Sequence, residues 1–183
     1  MRKEETRLLL RWITFMAFLL ILAVVSWNVI SQSAALYRTT PEFRKMNLVE
    51  LTLVNDDGES VQFEARAADE EDERSAGFAH VGAGVIRRTV ILWMIDRETT
   101  VTFKTENVEA PIELAYLNDE GTVLEILEGK PHSQDPISFG LSVQFVLEAP
   151  AGFFETRHIS KNGSVLSAET LKMLQELLAG GSS

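Results

Sequence analysis

The sequence predicts a mainly β (α+β) protein: a small β-sandwich or barrel-like domain with one or two helices, preceded by a single transmembrane helix. Three observations carry this. An uncharged apolar run lies near the N-terminus; seven short alternating or apolar segments, punctuated by turn residues, fill about 100 residues after it; and two stretches carry helix start signals.

The apolar run comes first. No charged residue occurs between Arg11 and Arg38, and Trp12 to Ile30 are 19 residues, roughly 28 Å as a helix against a hydrocarbon core of about 30 Å. Trp12 and Trp27 stand near its ends, where amphipathic rings favour the membrane interface. Only Thr14, Ser26 and Asn28 interrupt it, so a soluble amphipathic helix is a poor fit. A cleaved signal peptide is the competing reading, with Ser31, Ser33 and Ala35 as small residues before a cut. The run exceeds the usual signal-peptide length, which favours an uncleaved anchor.

Arg2, Lys3, Arg7 and Arg11 all precede the run, so the positive-inside rule leaves the N-terminus in the cytoplasm. The formal charge of the chain is −10; residues 1–33 carry four Lys/Arg and two Asp/Glu, or +2, which leaves −12 on the rest. A basic end on an acidic body fits two environments and excludes bulk attraction to nucleic acid. The division expected is a cytoplasmic basic tail (1–11), a transmembrane helix (12–30), a linker (31–47), a β-rich exported domain (48–166) and a C-terminal amphipathic helix and tail (167–183). The expected location is the inner membrane, single-pass, with the domain periplasmic.

Within the exported part, 48–54 and 59–67 alternate around Asn55-Asp56-Asp57-Gly58, a hairpin signal. Residues 89–95, TVILWMI, form a continuous apolar run suited to a strand buried on both faces. Strands are also expected at 99–105, 112–117, 122–127 and 141–150. A helix is expected over 68–81, with Asp69 as N-cap and carboxylates in its first turn. A second is expected over 167–181, opening at a capping Ser167 and carrying a stripe of Leu171, Leu174, Leu177 and Leu178. That stripe must cover either its own sheet or a partner, which makes Leu171, Leu174 and Leu178 candidate partner contacts.

The chemistry-bearing residues exclude more than they assert. Without cysteine there is no disulfide, thiolate site or Cys nucleophile. His80, His132 and His158 have no metal-ligand spacing, and Asp56-Asp57-Gly58-Glu59 lacks the rhythm of a calcium loop. Gly82-Ala83-Gly84 is followed by no Lys-Ser/Thr, and no GxSxG occurs. No cofactor, metal or catalytic residue is expected.

The segments ERSAGF (73–78), TVILWMI (89–95), TFKTENVEAPIELAYLNDEGTVLEI (102–126) and VQFVLEAPAGFFETRHISKNGSVL (143–166) resemble the Domain of Unknown Function 192 family over about 59–166. The resemblance implies a compact, β-rich, often exported domain without established activity. Arg74, Gly77, Phe103, Asn107, Pro111, Gly121, Glu148 and Gly152 stand at matching family positions. Lys104, Thr105 and Glu106 replace a Trp-Met-Lys run, Phe78 a Leu, Val108 a Thr and Glu113 an Asp. The substitutions imply a lost aromatic platform and one inverted charge.

Arg74, Asn107 and Glu113 are therefore the candidate ligand-binding residues, meeting in one pocket with Arg74 and Glu113 as a charge-assisted pair. Alternatively, Arg74 pins the helix to the sheet through Glu113, and Asn107 satisfies backbone at the Pro111 corner. The leading functional expectation is a non-catalytic interaction or stabilising subunit of a membrane assembly, for instance a photosynthetic or respiratory one. The partners expected are the lipid bilayer and a membrane protein, with no nucleic acid. A module binding a sugar, peptide or other small molecule is the alternative, and a hydrolase the second alternative.

Overall fold

The structure, a computed structural model, describes residues 2–181 and divides into two compact units, Met1–Tyr37 and Arg38–Ser183. The side chains of Arg2 and Lys3, counted in the charge asymmetry above, lie outside the description, as do the tail residues Ser182 and Ser183.

The first unit is one helix, α1 (Arg2–Leu36), which extends beyond the predicted apolar run at both ends. Its Arg11–Leu36 stretch has a mean hydropathy of 2.4 and is long and apolar enough to cross a membrane. Trp12 and Trp27 are both exposed on it. Thr14 donates its hydroxyl to the Arg11 carbonyl (2.9 Å) and the Asn28 amide donates to the Val24 carbonyl (3.0 Å). Two of the polar interruptions are thus satisfied within the helix.

The predicted linker is not one continuous coil. Its first residues finish α1, and after Arg38 the chain enters α2 (Pro41–Lys45), where the Thr40 hydroxyl accepts from the Phe43 N–H (3.2 Å) and Pro41 fills the first turn. Phe43 is buried, so this short helix belongs to the core of the second unit.

That unit is a curled, mixed seven-stranded sheet, a half-barrel, formed by β1 (Asn47–Val54), β2 (Ser60–Ala68), β3 (Ile91–Thr99), β4 (Ile112–Leu117), β5 (Val123–Gly129), β6 (Val143–Pro150) and β7 (Val165–Leu166). The order across it is β5-β4-β6-β3-β2-β1-β7. Every pairing is antiparallel except β2 with β3. Their connection carries α3 (Glu71–Ala76) and α4 (Ala83–Ile86), and α5 (Ala168–Gly181) ends the described chain.

The Asn55–Gly58 turn forms the predicted hairpin: the Asn55 side-chain oxygen accepts from Asp57 and Glu59 N–H (3.0 and 2.9 Å) and Gly58 takes φ +77°. The run at 91–95 is buried on both faces as expected, with Leu92 and Met94 in one core and Ile91, Trp93 and Ile95 in the other. Leu51, Leu53, Phe145 and Leu147 complete the first core; Phe43, Phe78, Phe103, Leu114 and Tyr116 complete the second.

Two expectations change, and one open alternative is decided. Residues 99–105 are not a strand of their own: β3 runs on to Thr99, and Phe103 makes only an isolated bridge to Ile137. The alternation there reports one-sided burial of Phe103 and Thr105 without a ladder. The 68–81 helix shrinks to six residues. Ala68 still belongs to β2, the N-cap is Glu70, whose N–H donates to Glu73 Oε2 (3.3 Å), and Gly77 stops the helix with φ +46°. Of the two surfaces left open for the α5 leucines, most of the stripe takes the chain's own sheet: Leu174 is 0% exposed in the first core and Leu171 and Leu178 pack against it, while Leu177 is 46% exposed. The Thr52 N–H donates to the Thr170 hydroxyl (3.0 Å) and the Ser167 N–H to the Thr52 carbonyl (2.8 Å), which fastens α5 to β1.

Candidate functional site

A concavity with a volume of about 690 Å³ lies between α3, with the turn after it, and the 99–108 segment. Its apolar floor comes from β3 and the bridge at Phe103. The rings of Trp93 and Phe103 lie 4.2 Å apart between centroids at 53°, and Phe103 meets Tyr116 edge-on at 6.0 Å. Sequence reasoning held that Lys104, at the family's Trp position, removed an aromatic platform. The fold supplies one from β3, where Trp93 reaches the same cleft.

Strand parity brings a carboxyl to this floor. On β6, Glu148 pairs across to Ile91 of β3 and Leu114 of β4, both second-core residues, so it projects onto the cleft face. It is 3% exposed, and the Trp93 indole N–H donates to its Oε2 (3.2 Å). Burial pushes this carboxyl from its ordinary 4.5 up to about 7, against the opposing pull of hydrogen bonds from the Trp93 side chain and the Phe78 backbone. Tyr116, buried beside it, is raised by burial and then by the charge of Glu148. Gly77 comes so close that a Cβ there would sit 2.9 Å from Glu148 Oε2. A side chain at 77 would collide with the acid, which gives the matching glycine a physical reason.

Arg74 also lines the cleft, half-buried, with Nη1 donating to the Met94 carbonyl (2.9 Å) and to the Asp69 carbonyl. It clamps α3 to β3 through backbone. Asn107 is exposed at the rim, and its own carbonyl accepts from His80 N–H (2.8 Å). Lys104, Glu71 and Glu106 are exposed around the mouth.

Glu113 is elsewhere. It pairs with Ala149, on the opposite parity from Glu148, and its carboxylate accepts from Gly152 and Phe154 N–H (2.8 and 3.4 Å). The sheet stands between it and the cleft, so neither expected arrangement of an Arg74–Glu113 pair forms. Arg74 and Asn107 share the site; Glu113 fastens the loop after β6. The carboxyl that does belong to the site is Glu148. Its signal in the sequence was a lone acid inside the apolar run VQFVLEAP, at a position of burial parity.

The histidines remain apart. His158 lies beside Asp57, which raises its pKa through a hydrogen bond, and His132 lies 3.8 Å from Glu109.

A family model, DUF192, described as "Uncharacterized ACR", matches residues 52–167. No functionally curated protein matches the chain significantly. Among solved structures, one from Sinorhizobium meliloti 1021, described as a candidate transcription regulator, is similar at 20% identity with a TM-score of 0.62, covering 67% of this chain and 94% of the other. A protein of unknown function from Novosphingobium aromaticivorans DSM 12444 is similar at 18% identity with a TM-score of 0.59, covering 73% and 96%. At such identities the likeness is one of fold.

Proposed function

Since the chain belongs to the DUF192 family, which is described as uncharacterized, we propose from its geometry that it is a membrane-tethered module that binds a small molecule in the cleft beside α3. In this reading α1 remains in the bilayer, the N-terminus is cytoplasmic and the sheet domain stands on the exported side. The apolar stretch Arg11–Leu36 and the charge asymmetry of the sequence support that arrangement.

One observation carries the binding role: an aromatic floor and a buried carboxyl, joined by the Trp93–Glu148 hydrogen bond, converge in one concavity of about 690 Å³. A volume of this size falls in the range of small-molecule sites. The leading expectation, an interaction or stabilising subunit of a membrane assembly, has less support from the C-terminal stripe, because Leu171, Leu174 and Leu178 pack on the chain's own first core and only Leu177 is left exposed.

The test is a thermal-shift screen of the full-length protein in nanodiscs against a metabolite library, followed by the Trp93→Ala variant. Hits that raise the midpoint of the wild type and not of the variant support the reading; a library without such a hit sinks it. Orientation is read separately. With no native cysteine, a single Cys at exposed Glu176 is expected to react with a membrane-impermeant maleimide in intact spheroplasts. Labelling only after lysis would place the domain in the cytosol.

A further inference from the structure

Glu148 is a buried carboxyl with no cationic partner. Among the described residues the ion pairs are formed by other groups, and the donors to Glu148 are the neutral indole of Trp93 and backbone. The half-buried cation of the cleft, Arg74, turns Nη1 to the carbonyls of Asp69 and Met94. A buried carboxylate left so is costly, and a positive charge brought by a ligand would relieve it. The wall beside it is aromatic, with Trp93 and Phe103 4.2 Å apart, and aromatic faces attract desolvated cations. The indole that presents its face also holds the carboxyl in place through its N–H.

From this geometry we propose that the cleft takes a small organic cation, its ammonium or quaternary nitrogen seated against Trp93 and Phe103 and facing the carboxyl of Glu148. The inference rests on the binding reading above and assigns that site its ligand class. Charge on the surrounding elements is compatible. Around Glu148 stand Arg74 and Glu71 on α3, Lys104 and Glu106 on the 99–108 segment, and neutral Tyr116 on β4. With Glu148 ionised, these carry three negative charges against two positive, and the unit beyond residue 33 is itself strongly acidic. Long-range attraction therefore favours cations over anions.

Two consequences separate this from recognition of a neutral ligand. A cation binds the ionised acid, so affinity rises with pH until Glu148 is ionised in the free protein, near pH 7, and levels off above it. Below that the loss is about tenfold per pH unit. Removing the charge and keeping the shape, as in Glu148→Gln, removes both the slope and the tight binding.

Trp93 is one of three tryptophans, the others being Trp12 and Trp27. Full-length protein with Trp12→Phe and Trp27→Phe, held in nanodiscs, therefore reports the cleft by fluorescence. The probes are tetramethylammonium and choline, the uncharged choline isostere 3,3-dimethylbutanol, and methyl glucoside. The expected result is saturable quenching by the two cations at pH 8, at least tenfold weaker for dimethylbutanol, with the pH slope present in the wild type and absent in Glu148→Gln. The wild-type pH profile stands as a measurement independent of how that variant folds. If dimethylbutanol binds as well as choline, or methyl glucoside alone quenches, the cationic class is overturned while small-molecule binding stands. If no probe quenches up to about 50 mM, the cationic class is likewise overturned, and the library screen alone then decides the functional reading.

Discussion

Glu148→Gln is expected to stabilise the ligand-free domain at alkaline pH and to leave it nearly unchanged in acid. The carboxyl rises from 4.5 to about 7 on burial, so between those values the folded state holds a proton that the unfolded state has released. Its contribution is thus present below pH 4.5 and is lost as pH climbs through 7. At about 1.4 kcal/mol per pH unit the rise corresponds to about 3 kcal/mol. Glutamine keeps the volume, can still accept from the Trp93 indole and carries no charge to desolvate. Urea unfolding of residues 38–183 at pH 8.5 should therefore give the variant an advantage of about 1–3 kcal/mol, the lower end allowing for imperfect replacement of hydrogen bonds. At pH 4.5 the two proteins should agree within about 1 kcal/mol, since the acid is then neutral in the folded state and half protonated in the unfolded one. Equal differences at the two pH values would refute the reasoning, because a merely structural defect does not titrate. So would an advantage confined to acid.

Other substitutions test the remaining geometry. Gly77→Ala places a Cβ 2.9 Å from Glu148 Oε2 at a φ of +46° and should cost about 2–3 kcal/mol in the same unfolding assay, with a shift in Trp93 emission; a neutral effect would mean that the acid lies elsewhere. Leu174→Ala removes a side chain that is 0% exposed and should cost about 2–5 kcal/mol, and a loss under about 0.5 kcal/mol would detach α5 from the sheet. Glu113→Ala strands the N–H groups of Gly152 and Phe154 at a cost of about 1–3 kcal/mol without changing Trp93 emission. A spectral change there would contradict its placement across the sheet from the cleft.

Local periodicity made most of the sheet legible. Residues 48–54 and 59–67 alternate around the turn at Asn55 to Gly58, and β1 and β2 occupy them to within a residue at each end. What periodicity reports is burial, and a segment buried on one side by a bridge reads like a strand, which is why Phe103 misled. Two-residue β7 lies below the length at which any period can be seen. The site was half legible for a related reason. Arg74, Asn107 and Glu113 were all found through family positions, Glu113 as the replacement of the family's Asp, but a motif position does not say on which face of the sheet a side chain falls. The parity of Glu113 relative to Glu148 depends on the β4–β6 register, which pairs Glu113 with Ala149 and Leu114 with Glu148 and is fixed only by the folded sheet. Trp93 was hidden inside a run whose apolar character already explained it.

Short as it is, β7 meets both margins of the curled sheet. It pairs with β1 through Leu53 and Val54, while Val165 also bridges Thr122 at the start of β5, and Leu166 donates its N–H to the Gly121 carbonyl (2.9 Å). Two residues thereby cap strand margins that would otherwise offer free backbone to a neighbour. Such a clasp keeps one copy from zipping onto the next. Chains cut short before residue 165 would be expected to clump instead of merely loosening.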